Sequence, residues 1–399
     1  MSALRMRPLE RQSAHAIPRR SFLAAMGGLW VGAGGVLRPL RAEERLTAVQ
    51  KKLLMRTEKP WNAEAFPEDL TSPITRLESF FVRCHGSVPS IDPAGFRLSV
   101  SGLIEKPSEL SLADLSRFPL VTSQAALTCA GNRRLEFNAI RKVGGVQWDI
   151  GAVGGAVWEG IRLCDLLRTV RLQPGAKHVW FEGRDDIVEK QETIHFGGSI
   201  PLEKALMEDA GAPLLVTKMN GQPLLPEHGF PLRMLVPGFI GARSVKWLAK
   251  IAVSDQPSPN HFVAHAYKRI TEDTPMAIDA ASPLYDVAIN SVIATVGWSP
   301  DRQAIRAAGG AIPSGSGRQI TRVELSLDGG QTWKNIALGS ESRPPFSWTP
   351  WSAELPAPAN PSELAVRAFD DSGRVQAETS EWNVKGYQFN GWHRVPLKS

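Results

Sequence analysis

The string Leu127-Thr128-Cys129-Ala130-Gly131-Asn132-Arg133-Arg134 puts a cysteine at the end of an apolar run and beside two arginines. Positive neighbours favour the thiolate, which is both the nucleophilic form and a soft metal ligand. A buried structural cysteine satisfies the same string. Two further clusters set histidine and arginine among glycine, proline and aromatics. They are Phe80-Phe81-Val82-Arg83-Cys84-His85, and Glu227-His228-Gly229-Phe230-Pro231-Leu232-Arg233 followed by Gly241-Ala242-Arg243-Ser244-Val245-Lys246-Trp247. Loops of this kind suit an anion, because guanidinium forks and exposed amides bind phosphate and other oxyanions. Each alone also reads as a solvated loop or a capped strand end. Three of them in one stretch without net charge shift the balance toward an anion site.

The elements that must hold these clusters form a mixed pattern. Gly95 to Leu103 alternates as a strand, and Leu110 to Leu115 and Ile161 to Val170 carry helical spacing. Strands are expected at His178 to Glu182, Pro213 to Lys218, Leu232 to Pro237 and Ser244 to Val253, with Asn220-Gly221 marking a turn. From about residue 285 the helical signal ends. Val287 to Val296, Thr321 to Leu327, Lys334 to Leu338 and Glu363 to Phe369 alternate between Asp-Gly-rich turns, as in an immunoglobulin-like β-sandwich. The fold class is therefore α+β: a mixed α/β domain over 50–253, a proline-bearing crossing at 254–284, and the sandwich over 285–399. Gly309 to Gly317 reads as a loop.

The chain has 399 residues and a formal charge of +6, and the whole excess sits in the first 42 residues. That stretch has seven arginines against Glu10, so 43–399 is formally neutral. A nucleic-acid surface needs a basic surplus, and none is left. Pro18-Arg19-Arg20-Ser21-Phe22-Leu23 and the Gly/Ala-rich run to Leu37 read as a twin-arginine signal peptide over 1–42, which implies a periplasmic destination. The run is too short and too glycine-rich for a stable membrane span. Three cysteines (Cys84, Cys129 and Cys164) without a Cys-x-x-Cys pair argue against a disulfide framework.

Together, Phe-Val-Arg-Cys-His at 81–85, Cys-Ala-Gly-Asn-Arg-Arg at 129–134, Glu-His-Gly-Phe-Pro-Leu-Arg at 227–233, Gly-Ala-Arg-Ser-Val-Lys-Trp-Leu at 241–248 and Trp382-Asn383-Val384-Lys385-Gly386 resemble the sulfite oxidase family of mononuclear molybdenum enzymes. The resemblance implies one molybdenum–molybdopterin cofactor per chain, with Cys129 as the metal ligand. It implies cofactor contacts at Phe81, Arg83, His85, Asp185, His228, Arg233, Ser244, Val245 and Lys246. It also implies a substrate pocket of Arg83, Arg134, Trp148, Tyr267 and Lys385 for sulfite or a similar small oxyanion. Three positions depart from the family pattern: Lys385 replaces an arginine, Gly144 a basic residue, and Cys84 an asparagine. Tyr267 keeps the phenol usual in sulfite oxidases, where related nitrate reductases carry asparagine. Neither haem nor flavin is expected, so an external c-type cytochrome would take the electrons, and the C-terminal domain implies a homodimer. Other readings of the same sequence are reduction of nitrate or a sulfoxide at such a centre, or a non-catalytic exported binding protein.

Overall fold

Strand Leu120–Thr128 pairs antiparallel with Val153–Arg162, which pairs on its other edge with Leu214–Met219. Gln222–Pro223 and Arg233–Leu235 complete this sheet by pairing with Leu214–Met219. The computed structural model describes residues 52–189, 191–339, 343–357 and 362–397, so the leader at 1–42 lies outside the described residues.

A second sheet has the order Ser108–Leu110, Leu98–Gly102, Lys250–Ser254, His178–Glu189 and Glu192–Pro201, with one parallel pairing, between Leu98–Gly102 and Lys250–Ser254. Helix Leu163–Val170 buries Leu163, Leu166, Leu167 and Val170 in a core shared with Leu98, Val179, Phe181 and Ile251 from this sheet. A smaller sheet of Leu54–Thr57, Asn62–Glu64 and Val82–Arg83 leads the chain toward His85.

The sandwich consists of two antiparallel sheets. One holds Asn290–Trp298, Ala304–Ile312 and Thr349–Pro356, and the other Lys334–Ile336, Ile320–Ser326, Glu363–Asp370 and His393–Pro396. Ile293, Ile305, Val323, Trp351, Leu364 and Val366 meet between them. Burial alternates along Thr349–Pro356, as period-two patterning requires, but runs unbroken over Leu364, Ala365 and Val366. The α+β class with a two-sheet C-terminal sandwich thus agrees with the sequence expectation.

Several boundaries differ. The helix expected from Ile161 starts at Leu163, because Ile161 and Arg162 are still paired to Leu215 and Leu214. The strand expected over Ser244 to Val253 covers only Lys250–Ser254. Its first half is a loop whose Ser244 Oγ accepts from Val236 N at 2.9 Å. Strands Leu120–Thr128 and Glu192–Pro201 had no counterpart in the sequence reading. The loop read over Gly309 to Gly317 begins inside strand Ala304–Ile312. Its glycines are there for space: a Cβ at Gly310 would sit 2.2 Å from the Trp348 ring, and one at Gly309 would sit 1.9 Å from Val292 O. The crossing at 254–284 is also packed, burying Phe262, Val263 and Tyr267. Among the described residues no helix is long and apolar enough to cross a membrane.

Candidate active site

Cys129 N donates to Ala152 O at 2.9 Å, the last rung between Leu120–Thr128 and Val153–Arg162 before the chain turns. Asn132 N closes that turn on Cys129 O at 3.0 Å, and Asn132 Oδ1 accepts from Ala152 N at 2.9 Å. Arg133 follows in the left-handed region, at φ 62°. Gly131 leaves room for the Arg134 guanidinium, since a Cβ there would lie 2.7 Å from Nη2. The result is a buried thiol whose only donor among the described residues is Gly131 N at 3.4 Å.

The two arginines beyond it separate in role. Arg133 is fully buried and holds Glu136 at 2.6 Å, Asn290 Oδ1 at 2.7 Å and Gly391 O at 2.7 Å, which ties the two domains together. Arg134 donates to Gly386 O at 3.1 Å and Val146 O at 3.0 Å. Its guanidinium lies 5.2 Å from the Tyr387 ring.

Cys129 opens into a cleft of about 690 Å³. Of the residues predicted for the site, Phe81, Arg83, His85, Cys129, Asp185, His228, Arg233, Ser244, Lys246 and Tyr267 line it. Four stand outside the lining. Val245 is turned into the core. Trp148 is buried beneath the Cys129 turn, with Nε1 lacking a hydrogen-bond partner. Arg134 lies behind Gly131, and Lys385 places Nζ 2.7 Å from Asp273 Oδ1. Sequence reasoning did not single out Phe80, Cys84, Phe196, Glu227 and Trp247, which also line the cleft. All but Phe196 fall inside the strings quoted above, so their position beside His and Arg was the available signal.

His85 Nε2 lies 2.8 Å from Arg83 Nη2 and 3.1 Å from the Tyr267 hydroxyl. Arg83 can only donate, so Nε2 accepts from it and the ring is neutral. Burial, reinforced by Arg83 and Lys246, holds the His85 pKa well below the usual imidazole range. Burial likewise raises the Tyr267 phenol.

Arg233 is held by carbonyl oxygens of His228 at 2.9 Å, Ser244 at 3.2 Å and Met234 at 3.3 Å. Burial lowers its pKa to about 9. Lys246 Nζ contacts Glu227 O at 2.8 Å and Cys84 Sγ at 3.2 Å, and burial lowers its pKa too. The lining carboxyls Asp185 and Glu227 are raised, again chiefly by burial. Two desolvated cations thus rest on neutral acceptors, an arrangement that an anionic ligand would complete.

This donor set fits molybdopterin. Arg233, Lys246 and the His228 loop suit a phosphate. A Cβ at Gly183 would come within 2.8 Å of Lys246 O, so this glycine lets the backbone bearing Lys246 close in. Cys129 offers the soft donor molybdenum takes. Among the described residues no group of three His, Cys, Asp or Glu side chains is placed to hold a metal.

Comparison with known proteins agrees with this geometry. Residues 85–262 match the family model described as oxidoreductase molybdopterin binding domain, and residues 281–399 match that described as Mo-co oxidoreductase dimerisation domain. Mitochondrial sulfite oxidase of Rattus norvegicus is 39% identical over 363 residues, covering 87% of this chain and 65% of that protein. Sulfite oxidase of Arabidopsis thaliana is 34% identical over 374 residues, covering 87% and 94%. The NADH nitrate reductase of Ulva prolifera is 35% identical over 369 residues, covering 85% of this chain and 42% of that protein. Among solved structures, the sulfane dehydrogenase SoxCD from Paracoccus pantotrophus superposes with a TM-score of 0.73 at 26% identity over 94% of each chain. The chain spans about 65% of the length of the mammalian relatives it matches.

Proposed function

This chain belongs to the sulfite oxidase family of molybdopterin-dependent oxidoreductases, and from that premise we propose that it oxidises sulfite to sulfate and passes the electrons to a separate carrier. The observation that carries this reading is the cleft in which a buried thiol faces a cluster of arginines, a phenol and a neutral imidazole. When bound, the molybdenum–molybdopterin group supplies the two-electron redox chemistry.

The protein's part is positioning and charge. Arg233 and Lys246 hold the pterin phosphate, gaining the counter-charge that burial leaves them without. Cys129 binds the metal through its sulfur. Arg83 and Arg134 draw an anion toward it, and the Tyr267 hydroxyl, oriented by His85, donates to an oxyanion as charge redistributes. The same chain is exported by the twin-arginine route, reduces a periplasmic c-type cytochrome and pairs through its C-terminal domain; its leader string and the dimerisation-domain match support this reading.

Sulfite-dependent reduction of ferricyanide or cytochrome c by the molybdenum-loaded protein tests the assignment. Cys129→Ser should retain the fold and lose at least 99% of turnover, because a hard alkoxide is a poor replacement for thiolate (about 3 kcal/mol or more). Full turnover by a loaded Cys129→Ser variant, or no sulfite oxidation by the parent, would refute it.

A further inference from the structure

Tyr387 follows Gly386, the residue whose carbonyl accepts from Arg134 Nε at 3.1 Å. Its backbone is fixed on both sides by Asn383: N donates to Oδ1 at 2.9 Å and O accepts from Nδ2 at 2.9 Å. The ring stacks on Tyr267, with centroids 5.2 Å apart and planes 17° apart. The Arg134 guanidinium sits 5.2 Å from its centroid. Every part of the residue is therefore held except the hydroxyl, which has no hydrogen-bond partner among the described residues.

The ring lies against Tyr267, which lines the cleft, and beside the Arg134 guanidinium. Burial raises the pKa of the Tyr387 hydroxyl, the Arg134 and Arg83 guanidinium groups pull the other way, and the Cys129 sulfur acts on it as well. It is a neutral donor at any working pH. Lys385, two residues earlier, has its ammonium 2.7 Å from the Asp273 carboxylate. The segment bearing Asp273 is joined to the C-terminal chain at two more points, Val384 N to Ile270 O at 3.0 Å and Arg269 to Glu381 at 2.9 Å.

We infer that Tyr387, and not Lys385, completes the oxyanion subsite beside Cys129, its hydroxyl donating to a substrate oxygen. The inference rests on the sulfite-oxidising reading above. A phenol with an empty donor beside two guanidinium groups gains a hydrogen bond when an anion arrives. A lysine already paired with a carboxylate must first lose that pair. The stack on Tyr267 keeps the ring in place, so little rotamer entropy is lost on binding. The subsite then offers two positive charges and two phenols, a set matched to a small dianion.

Sulfate, as an unreactive probe, separates this claim from turnover. Its binding to the molybdenum-loaded protein is measured by calorimetry in the parent and in Tyr387→Phe, which keeps the stacked ring and removes only the hydroxyl. The sulfate Kd and the sulfite KM should each rise about tenfold, as for one lost hydrogen bond to a charged group. Molybdenum content and Tm should match the parent. Equal affinities in the two proteins, or no sulfate binding by the parent, would overturn the inference. A parent that binds sulfate through Tyr387 but does not oxidise sulfite would sink the proposed reaction and leave the subsite standing.

Discussion

Glu64 is fully buried, with Oε1 accepting from Arg56 Nε at 2.7 Å and Oε2 from Asp149 N at 3.0 Å. Through Asp149, whose carbonyl takes Arg133 N at 2.8 Å, this one carboxyl supports the Cys129 turn. Burial outweighs the guanidinium and raises its pKa from 4.5 to about 7. The folded protein then binds this proton more tightly than the unfolded chain does. The associated stability is fully present below pH 4.5 and is lost as pH rises through about 7. Glu64→Gln should remove that dependence, flattening by about 3 kcal/mol the decline across this window. Urea unfolding at a series of pH values reads it, and parallel curves for parent and variant would contradict it. His85 differs in kind: burial lowers its pKa, and Arg83, which can only donate, favours the neutral ring.

At the level of elements, strand Val153–Arg162 is central to the site because it pairs on both edges. Its glycines let neighbours close in: a Cβ at Gly160 would lie 2.1 Å from Leu215 O, and one at Gly154 would lie 2.7 Å from the Phe80 ring. Trp158 on the same strand donates to Ala125 O at 3.0 Å, meets Phe80 edge-on at 5.9 Å and lies 5.2 Å from the Arg233 guanidinium. Trp158→Ala therefore removes both a core ring and the platform under a phosphate-binding cation. It should cost about 3–5 kcal/mol. Molybdenum occupancy should fall with it. Denaturant unfolding and metal analysis check this, and a loss below about 1 kcal/mol would show that Arg233 is held by its carbonyls alone.

For the whole molecule, residues Arg45–Ser399 form one compact unit, and the C-terminal chain is part of the site. Gln388 N donates to Ala130 O at 2.6 Å, Arg134 holds Gly386 O, and Arg133 reaches Gly391 O. A site closed by residues more than 250 positions away in the chain forms only once both domains have folded. On the proposed export route, a cofactor in this cleft would be inserted before the chain is moved. That order suits the proposed twin-arginine route, which carries folded cargo and would read Arg19-Arg20 as an address and not as bulk charge. Arg19→Lys with Arg20→Lys should therefore leave active, cofactor-loaded protein in the cytoplasm, as cell fractionation would reveal. Undiminished periplasmic activity would mean export does not depend on this pair.

The sequence by itself determined the two-part α+β architecture, because period-two alternation and Asp-Gly turns are local signals that survive without tertiary context. It also picked out the strings at 81–85, 129–134, 227–233 and 241–248, whose members Arg83, Cys129, His228 and Lys246 line one cleft. Local spacing failed where partners lie far away in the chain. Strand Ala304–Ile312 has too many small residues to alternate, and its glycines make sense only against Trp348 and Trp351. Lys385 and Tyr387 stand two residues apart, and no pattern distinguishes the one paired with Asp273 from the one stacked on Tyr267. That choice depends on which remote carboxylate and which remote ring the folded chain brings near, and so it was made by tertiary packing alone.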